Sequence, residues 1–419
     1  MTTIIAFICM FGLLVFIHEF GHLIFAKRAG MLAREFAIGF GPKVFTFMKN
    51  ETVYTIRLLP VGGYVRVAGD DPEIIDLKPG QQVGLEFNDE GNVNKIIVNN
   101  KAKHPQARVV ELEHTDLDHE LVIEGYEPDE EDEKFTFEVD RKASFIMDEE
   151  ETQIAPYDRQ FASKSTGKRA MQLFAGPMMN FLLAIVIFIV IGLVQGIPVD
   201  EAKVTDIKAD SPADTAGLQS GDEVIQIDGT PVSTWDKFTK IVQDHPGDEL
   251  SMTLQRDDST EMVTITPDKL ERQGMAIGQV GVDHAFERSF FGSFTYGFEK
   301  AYDTTKLILT NLFKLVTGQY SLEVLSGPVG IYDATNQVVQ SGFATFAMWT
   351  AILSVNLGIV NLVPIPALDG GRLLFVGIEA VRGKPVDPQK EGVVHFIGFA
   401  LLMLLMIVVT WNDIQRLFL

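Results

Sequence analysis

The chain has 419 residues, of which 46% are hydrophobic and 22% are charged, so it is more apolar than a water-soluble protein of this length needs to be. Its formal charge of -22 argues against nucleic acid as a general partner. Cys9 is the single cysteine, which excludes an intramolecular disulfide and any multi-cysteine metal site. A bound metal would therefore need histidine and carboxylate ligands.

Four apolar stretches predict membrane-spanning helices. Each has 18 to 26 residues and at most one formal charge, enough to cross a hydrocarbon layer of roughly 30 Å. The stretches are Ile4–Ala26, Leu173–Val194, Phe343–Leu368 and Val393–Thr410, and we expect transmembrane helices over 4–26, 173–196, 343–380 and 393–411. The first stretch is interpreted as a retained span rather than a cleaved signal, because no positive charge precedes it and no small-residue cleavage site follows it.

Basic residues near the ends of the spans predict their orientation. Cytoplasmic flanks carry an excess of lysine and arginine. Basic flanks follow the first span, precede the second and separate the third from the fourth. Their basic residues are Lys27, Arg28, Arg34, Lys43, Lys164, Lys168, Arg169, Arg372, Arg382, Lys384 and Lys390. Both termini should then be extracytoplasmic.

Two segments between the first and second spans are predicted to be β-structure. Residues 27–80 form a membrane-associated β segment, with Val53–Ile56 favouring extension, Lys49–Asn50 a turn and Gly62–Gly63 a break. Residues 81–160 form an acidic, β-rich cytoplasmic insertion, since 101–150 alone hold 17 acidic and 6 basic residues. The sequence assigns this insertion no function. Its EPDEEDEK run, 127–134, is predicted to be a solvated loop, the alternative being a cation or partner site.

Residues 202–284, after the second span, predict a folded extracytoplasmic domain. A strand, a small-residue helix through Ala213 and Ala216, and an alternating strand that ends at Asp228–Gly229 resemble a PDZ domain of the bacterial membrane-protease kind. Such domains capture extended peptides by adding a strand to a sheet edge. The alternative is a small αβ spacer domain. This domain would either bind peptide termini or only filter substrates by size.

Residues 286–342 are predicted to hold amphipathic helices and a gating loop. Phe290, Phe294, Phe298 and Tyr302 recur every fourth residue beside basic side chains. This apolar face would either rest on the membrane or pack against the PDZ-like domain.

The first predicted span contains His18-Glu19-Phe20-Gly21-His22. Two imidazoles at i and i+4 lie on one helix face, so both can reach one ion while Glu19 lies beside them. Ionisable groups inside a span cost on the order of 2.5 to 3.5 kcal/mol each on insertion scales, so this cluster must face protein or water. The alternative is a set of polar groups that satisfy one another within a helix bundle.

Asp369 is the predicted third metal ligand. A catalytic zinc usually takes three protein ligands, and Asp369 is the only acidic residue in 343–374. Pro364 and Pro366 interrupt the helix before it, while Gly370 and Gly371 permit a sharp turn after it. The alternative is an ordinary helix end with Asp369 at the membrane interface.

HEFGH in the first span and NLVPIPALDGG in the third resemble the site-2 protease family of intramembrane zinc metalloproteases, and the resemblance covers nearly the whole chain. The IGFGPKVF, RLLPVGGYVRVAG, GPMMN and SGPVGIYD segments look like the bacterial branch with a single PDZ domain, of the Gram-positive type that cleaves anti-sigma factors. Many proteobacterial relatives have two PDZ domains and lack the acidic insertion, so their details of substrate gating do not transfer.

The resemblance implies a polytopic α-helical membrane protein with four transmembrane helices, a membrane-associated β-sheet, an acidic cytoplasmic β insertion and an extracytoplasmic PDZ-like α+β domain. It would lie in the bacterial plasma membrane, with the active site towards the cytoplasmic side. Substrates would be single-pass membrane proteins already trimmed by a site-1 protease.

Site roles follow from the residues together with the resemblance. His18, His22 and Asp369 would hold one Zn²⁺, and Glu19 would act as general base. A strand edge near Tyr54 to Val67, including Gly62 and Gly63, would hold the substrate extended. By resemblance alone, Asn361, Pro364 and Pro366 would contact the substrate and Asn180 would support the active centre. For Asn361 and Asn180 the alternative is polar packing between helices.

Two other functions remain open from the sequence. A divalent metal transporter would also place histidine and carboxylate in its spans, but it would not need the strand segment or the outer domain. A PDZ-type membrane scaffold would use the outer domain and leave the buried cluster unexplained.

Overall fold

A computed structural model describes residues 2–70, 77–127, 130–272, 275–321 and 325–418. Parts of the predicted 27–80, 81–160, 202–284 and 286–342 regions, and of the acidic 127–134 run, therefore lie outside the described residues. The chain divides into two compact units, Met1–Ala184 with Ala301–Leu419, and Ile185–Lys300.

The helices begin and end close to proline, glycine and charged residues. Pro364 and Pro366, for example, follow the end of one apolar helix at Leu362, where the residue before a proline is biased away from helix. Within the described ranges the helices are α1 (Thr2–Arg28), α2 (Thr166–Gln195), α3 (Pro212–Thr215), α4 (Trp235–Asp244), α5 (Phe290–Val316), α6 (Pro328–Gln340), α7 (Phe343–Leu362), α8 (Asp369–Arg382) and α9 (Pro388–Phe418).

Four of the helices in the described part of the chain are long and apolar enough to cross a membrane. They are α1, α2, α7 and residues 389–417 of α9, with mean hydropathies between 1.7 and 2.7. At most 39% of the most apolar window of each helix is buried inside the protein, and for α9 the share is 11%. The remaining apolar surface is suited to lipid, as expected for a helical membrane protein.

The first two strands, β1 (Ala33–Lys49) and β2 (Thr52–Val67), form a bent antiparallel hairpin. Residues 33–38 of β1 pair with 63–67 on one side and with 53–56 on the other, while 43–49 pair with 52–57. The four half-strands therefore lie in the order 43–49, 52–57, 33–38, 63–67. We call residues 63–67 the edge segment.

The expected break at Gly62–Gly63 is wrong as a strand end. β2 continues through both residues and bends there, because Gly62 adopts a φ of +81°, which glycine tolerates without steric cost. β1 starts at Ala33, inside the predicted β segment 27–80.

The acidic insertion is a β-sheet that closes on itself. Its strands lie in the order β4-β3-β5-β6-β7-β8, and β4 also pairs with β7 in parallel. Alternate side chains, such as Val83 and Leu85, are fully buried in the interior, and the acidic residues whose burial is described are half-buried or exposed. The strands are β3 (Gln82–Phe87), β4 (Val93–Ile97), β5 (Arg108–Asp116), β6 (Val122–Glu127), β7 (Glu130–Met147) and β8 (Glu150–Gln153).

The unit Ile185–Lys300 has its own core of buried aliphatic side chains, including Val204, Ile227 and Met252. A sheet of order β12-β11-β13-β14 packs with α3 and α4, and three two-stranded pairs complete it: β10 with β17, β15 with β16, and β9 with β18. The strands are β9 (Ile197–Pro198), β10 (Val204–Ile207), β11 (Glu223–Ile227), β12 (Thr230–Pro231), β13 (Leu250–Arg256), β14 (Ser259–Ile265), β15 (Asp268–Arg272), β16 (Met275–Gln279), β17 (Val282–His284) and β18 (Phe286–Glu287).

Candidate metal centre

The two histidines of α1 and the aspartate that begins α8 meet at one point. His18 Nε2 lies 3.1 Å from Asp369 Oδ2, and His22 Nε2 lies 3.4 Å from the same oxygen. The two Nε2 atoms lie 3.2 Å apart. Both histidines are 7% exposed, so the three ligand-type atoms converge inside the protein although 351 positions separate Asp369 from His18.

This triangle fits a metal ion. Tetrahedral zinc with bonds of about 2.0–2.1 Å places neighbouring ligand atoms roughly 3.3 Å apart, close to the three distances above. Asp369 Oδ2 is buried without a hydrogen-bond partner among the described residues. Over that same part of the chain, His18, His22 and Asp369 are the one group of three metal-binding side chains with converging ligand atoms.

The outer ring nitrogens of both histidines contact α2, which orients the rings. His22 Nδ1 lies 2.8 Å from the backbone oxygen of Gln172, which can only accept, so Nδ1 donates and Nε2 keeps its lone pair towards the centre. His18 Nδ1 lies 3.2 Å from Asn180 Nδ2, and an amide rotated by 180° would place Oδ1 there instead. If Asn180 Oδ1, otherwise unpaired, faces this nitrogen, it accepts the Nδ1 hydrogen and fixes the same tautomer in His18.

Glycines let α1 and α2 approach closely at the centre. A methyl group added at Gly176 would lie 2.2 Å from His22 Nε2, and one added at Gly21 would lie 2.4 Å from the backbone oxygen of Ala175. Neither position has room for a side chain. The Gly176 that opens the second predicted span is therefore part of the site, because it leaves the space that the imidazoles occupy.

The segment between α7 and α8 delivers Asp369. Methyl groups added at Gly370 and Gly371 would lie 2.4 Å from the backbone oxygens of Leu362 and Ile365 respectively, so the turn folds tightly back on the end of α7. Asp369 is the first residue of α8, and Leu368 before it is extended. The turn explains how a residue near the end of an apolar stretch reaches α1.

A cavity of about 540 Å³ opens at the centre. Glu19, Asn361, Gly62 and Gly63 line it, as do Tyr64 and Val65 of the edge segment. A methyl group added at Gly63 would lie 2.9 Å from Glu19 Cγ, so the edge segment passes directly beside that side chain.

Tyr54, Pro364 and Pro366 are not among the residues that line this cavity. Tyr54 belongs to an inner half-strand paired on both sides, with Phe36 and Phe47, so its backbone offers no free strand edge. Pro364 is exposed, and Pro366 packs against Gly398 of α9.

Sequence reasoning missed several residues of the site. Arg66, Asp70 and Arg372 also line the cavity, and an ion pair joins Arg372 to Asp70. Gln172 holds His22 through its backbone oxygen, which no sequence pattern can indicate. The basic residue directly after LDGG was a usable signal, because a charge so close to Asp369 must also find a partner.

A membrane helix bundle that brings two histidines, an aspartate and a glutamate to one buried cavity defines the class of membrane-embedded metallopeptidases. The sequence model of Peptidase family M50 matches residues 6–405. The chain belongs to this family, which confirms the resemblance drawn from HEFGH and LDGG.

Relatives match the chain along its full length. It is 66% identical to the zinc metalloprotease RasP of Oceanobacillus iheyensis, with 100% of both chains covered. It is 55% identical to the zinc metalloprotease RasP of Geobacillus kaustophilus and 53% identical to the regulator of sigma-W protease RasP of Bacillus subtilis, with 100% of this chain and 99% of each relative covered.

Among solved structures, the PDZ domain of an SdrC-like protein from Listeria monocytogenes matches 21% of this chain and 92% of its own, at 22% identity and a TM-score of 0.19. A TM-score this low decides nothing about the fold of the unit Ile185–Lys300.

Proposed function

We propose that this chain is a zinc metalloprotease that hydrolyses peptide bonds inside the membrane-spanning segments of single-pass membrane proteins. The convergence of His18, His22 and Asp369 beside Glu19, within a cavity among apolar helices, carries the proposal. The relatives named as zinc metalloproteases bear out the expected enzyme class and the expected metal, Zn²⁺.

His18, His22 and Asp369 would hold one zinc ion per chain. When bound, the ion supplies a Lewis acid that polarises the scissile carbonyl and makes water a better nucleophile at neutral pH. Glu19 lines the same cavity and would take the proton from the attacking water and pass it to the leaving amine. Gln172 and Asn180 would keep both imidazoles oriented with Nε2 towards the ion.

The substrate would bind as an extended strand. The carbonyls of a helical segment are engaged within the helix, so the segment must unwind before attack. Gly62, Gly63, Tyr64 and Val65 line the cavity, and the edge segment pairs with β1 through Ala33–Ile38 on one side. An unwound substrate would pair with its other side, next to Glu19 and Asn361. Tyr54, Pro364 and Pro366 stay predicted substrate contacts, with Pro366 better suited to supporting the turn.

The unit Ile185–Lys300 would contain the PDZ-like domain. Its own cavity of about 290 Å³ lies between α4 and β16, lined in part by Phe238, Val242 and Ile277, and it suits an extended peptide or chain terminus. In this role the domain would act as a size filter that rejects substrates not yet trimmed by a site-1 protease. Removal of residues 202–284 should then admit untrimmed substrates, and continued rejection would place the filter elsewhere.

The substrates we propose are anti-sigma factors and similar single-pass proteins, since one relative is named a regulator of sigma-W protease. We propose a multi-pass protein of the bacterial plasma membrane with both termini extracytoplasmic and the active site towards the cytoplasm. The basic flanks Lys27, Arg28, Lys168 and Arg382 support this orientation. A metal transporter or a PDZ-type scaffold is not favoured, because the full-length relatives are named as proteases.

The proposal is tested with detergent-purified protein and a tagged single-span peptide. Wild type should cleave the peptide, a chelator should stop cleavage, and added Zn²⁺ should restore it. Glu19→Gln should retain zinc but lose cleavage. Cleavage that persists in the chelator, or in Glu19→Gln, would refute the proposed mechanism.

A further inference from the structure

Helix α9 contacts the turn that precedes Asp369, residues 363–368. The contact is made by the face of α9 that carries His395 and Gly398. The most apolar window of α9 is only 11% buried, and Val394, Phe396 and Ile397 are 39 to 73% exposed. His395, in the midst of them, has a side chain that is only 21% exposed. An ionisable residue within a lipid-facing helix that turns towards protein has a specific partner there.

The partner of His395 is the backbone of the turn. Ala367 N donates a hydrogen bond of 2.8 Å to His395 Nδ1. Because the donor is a backbone N–H, Nδ1 must be the accepting nitrogen, and in the neutral ring Nε2 carries the hydrogen. That nitrogen lies 3.5 Å from Glu391 Oε1, one turn earlier on α9, so the carboxylate favours the required tautomer.

The backbone of Ala367 has an unfavourable conformation that a hydrogen bond can stabilise. Its φ is +78°, a left-handed conformation that residues with a Cβ rarely adopt and that persists only when the surroundings impose it. Two residues later the chain presents Asp369 to the metal centre. A relaxation of Ala367 to a negative φ would redirect the chain immediately before the carboxylate.

A second contact fixes the same turn from the same helix. A methyl group added at Gly398 would lie 2.5 Å from the Pro366 oxygen, so α9 touches the turn backbone one helical turn after His395. His395 and Gly398 are spaced i and i+3, on one face of α9. The hydrogen bond and the close approach are independent contacts with adjacent residues, Ala367 and Pro366.

We propose that His395 is a positioning residue: through its hydrogen bond to Ala367 N it holds the left-handed turn that aims Asp369 at the metal. The proposal rests on the proposed function of the centre. His395 lines a neighbouring cavity, together with Phe375 and Glu391, rather than the cavity that contains Glu19. It acts on the ligand through the backbone and does not contact the reacting atoms.

The test measures the affinity of metal-free, detergent-purified protein for Co²⁺ by its visible absorption, together with peptide cleavage. In His395→Ala, Co²⁺ affinity should fall by roughly 10- to 100-fold, the range for partners that orient metal ligands. His395→Asn should recover most of it, because the Asn Oδ1 occupies the place of Nδ1. His395→Gln should not, because its oxygen lies one bond farther out. Val394→Ala, an exposed neighbour, is the matched control and should bind as wild type does.

Ala367→Gly provides a test that does not depend on the folding of any single variant. Glycine adopts a positive φ without strain, so in the Ala367→Gly background His395→Ala should reduce Co²⁺ affinity less than it does in the native background. Equal losses in both backgrounds, or equal affinities for the Asn and Gln variants, would overturn the positioning role. Failure of the wild type itself to bind Co²⁺ would instead refute the proposed metal centre.

Discussion

Asp413 and Asp369 each have a carboxylate oxygen buried among the apolar helices, and their surroundings give them different tasks. Asp413 of α9 is 1% exposed, and its Oδ2 accepts a 2.8 Å hydrogen bond from Gly330 N in the first turn of α6. Arg416 Nη2 lies 3.6 Å from its other oxygen. Backbone N–H groups and the helix dipole stabilise a carboxylate at a helix N-terminus. Asp413 therefore has one oxygen bound by a backbone N–H, while its other oxygen, which has no hydrogen-bond partner among the described residues, is paired with the Arg416 cation.

Asp369 faces atoms of the opposite character. The backbone oxygen of Gln172 takes the outer ring hydrogen of His22, so His22 Nε2 points a lone pair at the Asp369 oxygen. His18 Nε2 does the same when Asn180 Oδ1 faces the His18 ring. Three acceptors that converge in this way repel one another unless a cation lies between them. Burial of a charge thus does not by itself identify a catalytic site, whereas the donor or acceptor character of its partners does.

The comparison is tested most strongly by Asp369→Asn. An amide in place of the carboxylate removes the anionic ligand, so zinc affinity should fall by at least about 100-fold and cleavage should become undetectable. Thermal unfolding of the metal-free protein should change little, because no donor to Asp369 is lost. Metal content and calorimetry measure these effects. A large loss of stability without loss of zinc would give Asp369 the structural role that we assign to Asp413.

Glu19→Gln separates chemistry from metal binding in the same cavity. Cleavage should fall by about 10²- to 10⁴-fold, the usual contribution of a general base, while zinc content stays at the wild-type level. Single-turnover cleavage of a single-span peptide measures the rate, and metal analysis of the same sample is the control. Loss of the metal together with the activity would make Glu19 a ligand instead.

Gly176→Ala tests the space around the imidazoles. The added methyl group would lie 2.2 Å from His22 Nε2, so the ring must move and zinc affinity should fall by roughly 10- to 100-fold. Gly12→Ala in α1 is the matched control, since a methyl group there meets no described atom within 4 Å apart from its own stretch of helix. Equal zinc affinities of the two variants would show that the helices can separate at no cost.

Asp413→Ala should have the opposite signature to Asp369→Asn. The unpaired Gly330 N–H should lower the free energy of unfolding by about 1–3 kcal/mol, with zinc affinity unchanged. Asp413→Asn keeps an accepting oxygen and should lose less. Thermal unfolding with parallel zinc titration measures both. A zinc affinity that falls with Asp413→Ala would remove the distinction between the two aspartates.

A third carboxylate, that of Glu51, lies at the tip of the β1–β2 hairpin, outside the apolar helices. Hydrogen bonds from Arg159 and Gln153 lower its pKa to about 2. A lowered pKa means that its stabilising effect is complete above the ordinary value near 4.5 and is lost as the pH falls towards 2.

The predicted effect of Glu51 is small. Glu51→Gln should lower stability by less than about 1 kcal/mol at pH 6, as for other solvent-accessible ion pairs, and by less still at pH 3. Hydrogen exchange of the hairpin amides measures it. A difference between wild type and Glu51→Gln that grows as the pH falls would contradict the assigned pairing.

The centre was predictable because charge is rare in apolar stretches. His18, Glu19, His22 and Asp369 each stand out against uncharged neighbours, and helical spacing places the two histidines on one face. The supporting contacts were not predictable, because they involve the backbone. Gln172 acts through its backbone oxygen, and His395 binds the backbone N–H of Ala367, a left-handed residue that is not a glycine.

The β-structure was also predictable only in part. The β-rich composition of 81–160 indicated strands in the acidic insertion, but its closure by parallel pairing of β4 with β7 depends on contacts distant in sequence. The bend in the hairpin could not be predicted either, because a glycine such as Gly62 is compatible with both a strand end and a bend within a strand. Only the observed pairing, in which Tyr54 lies between Phe36 and Phe47, shows that Tyr54 is inside the sheet and the edge segment outside.

Zinc K-edge X-ray absorption of the purified resting enzyme tests the central assignment most directly. His18, His22 and Asp369 predict one zinc per chain with two imidazole nitrogens and oxygen donors at about 2.0–2.2 Å and no sulfur. A spectrum with a sulfur neighbour, or without imidazole scattering, would place the metal elsewhere and contradict the account.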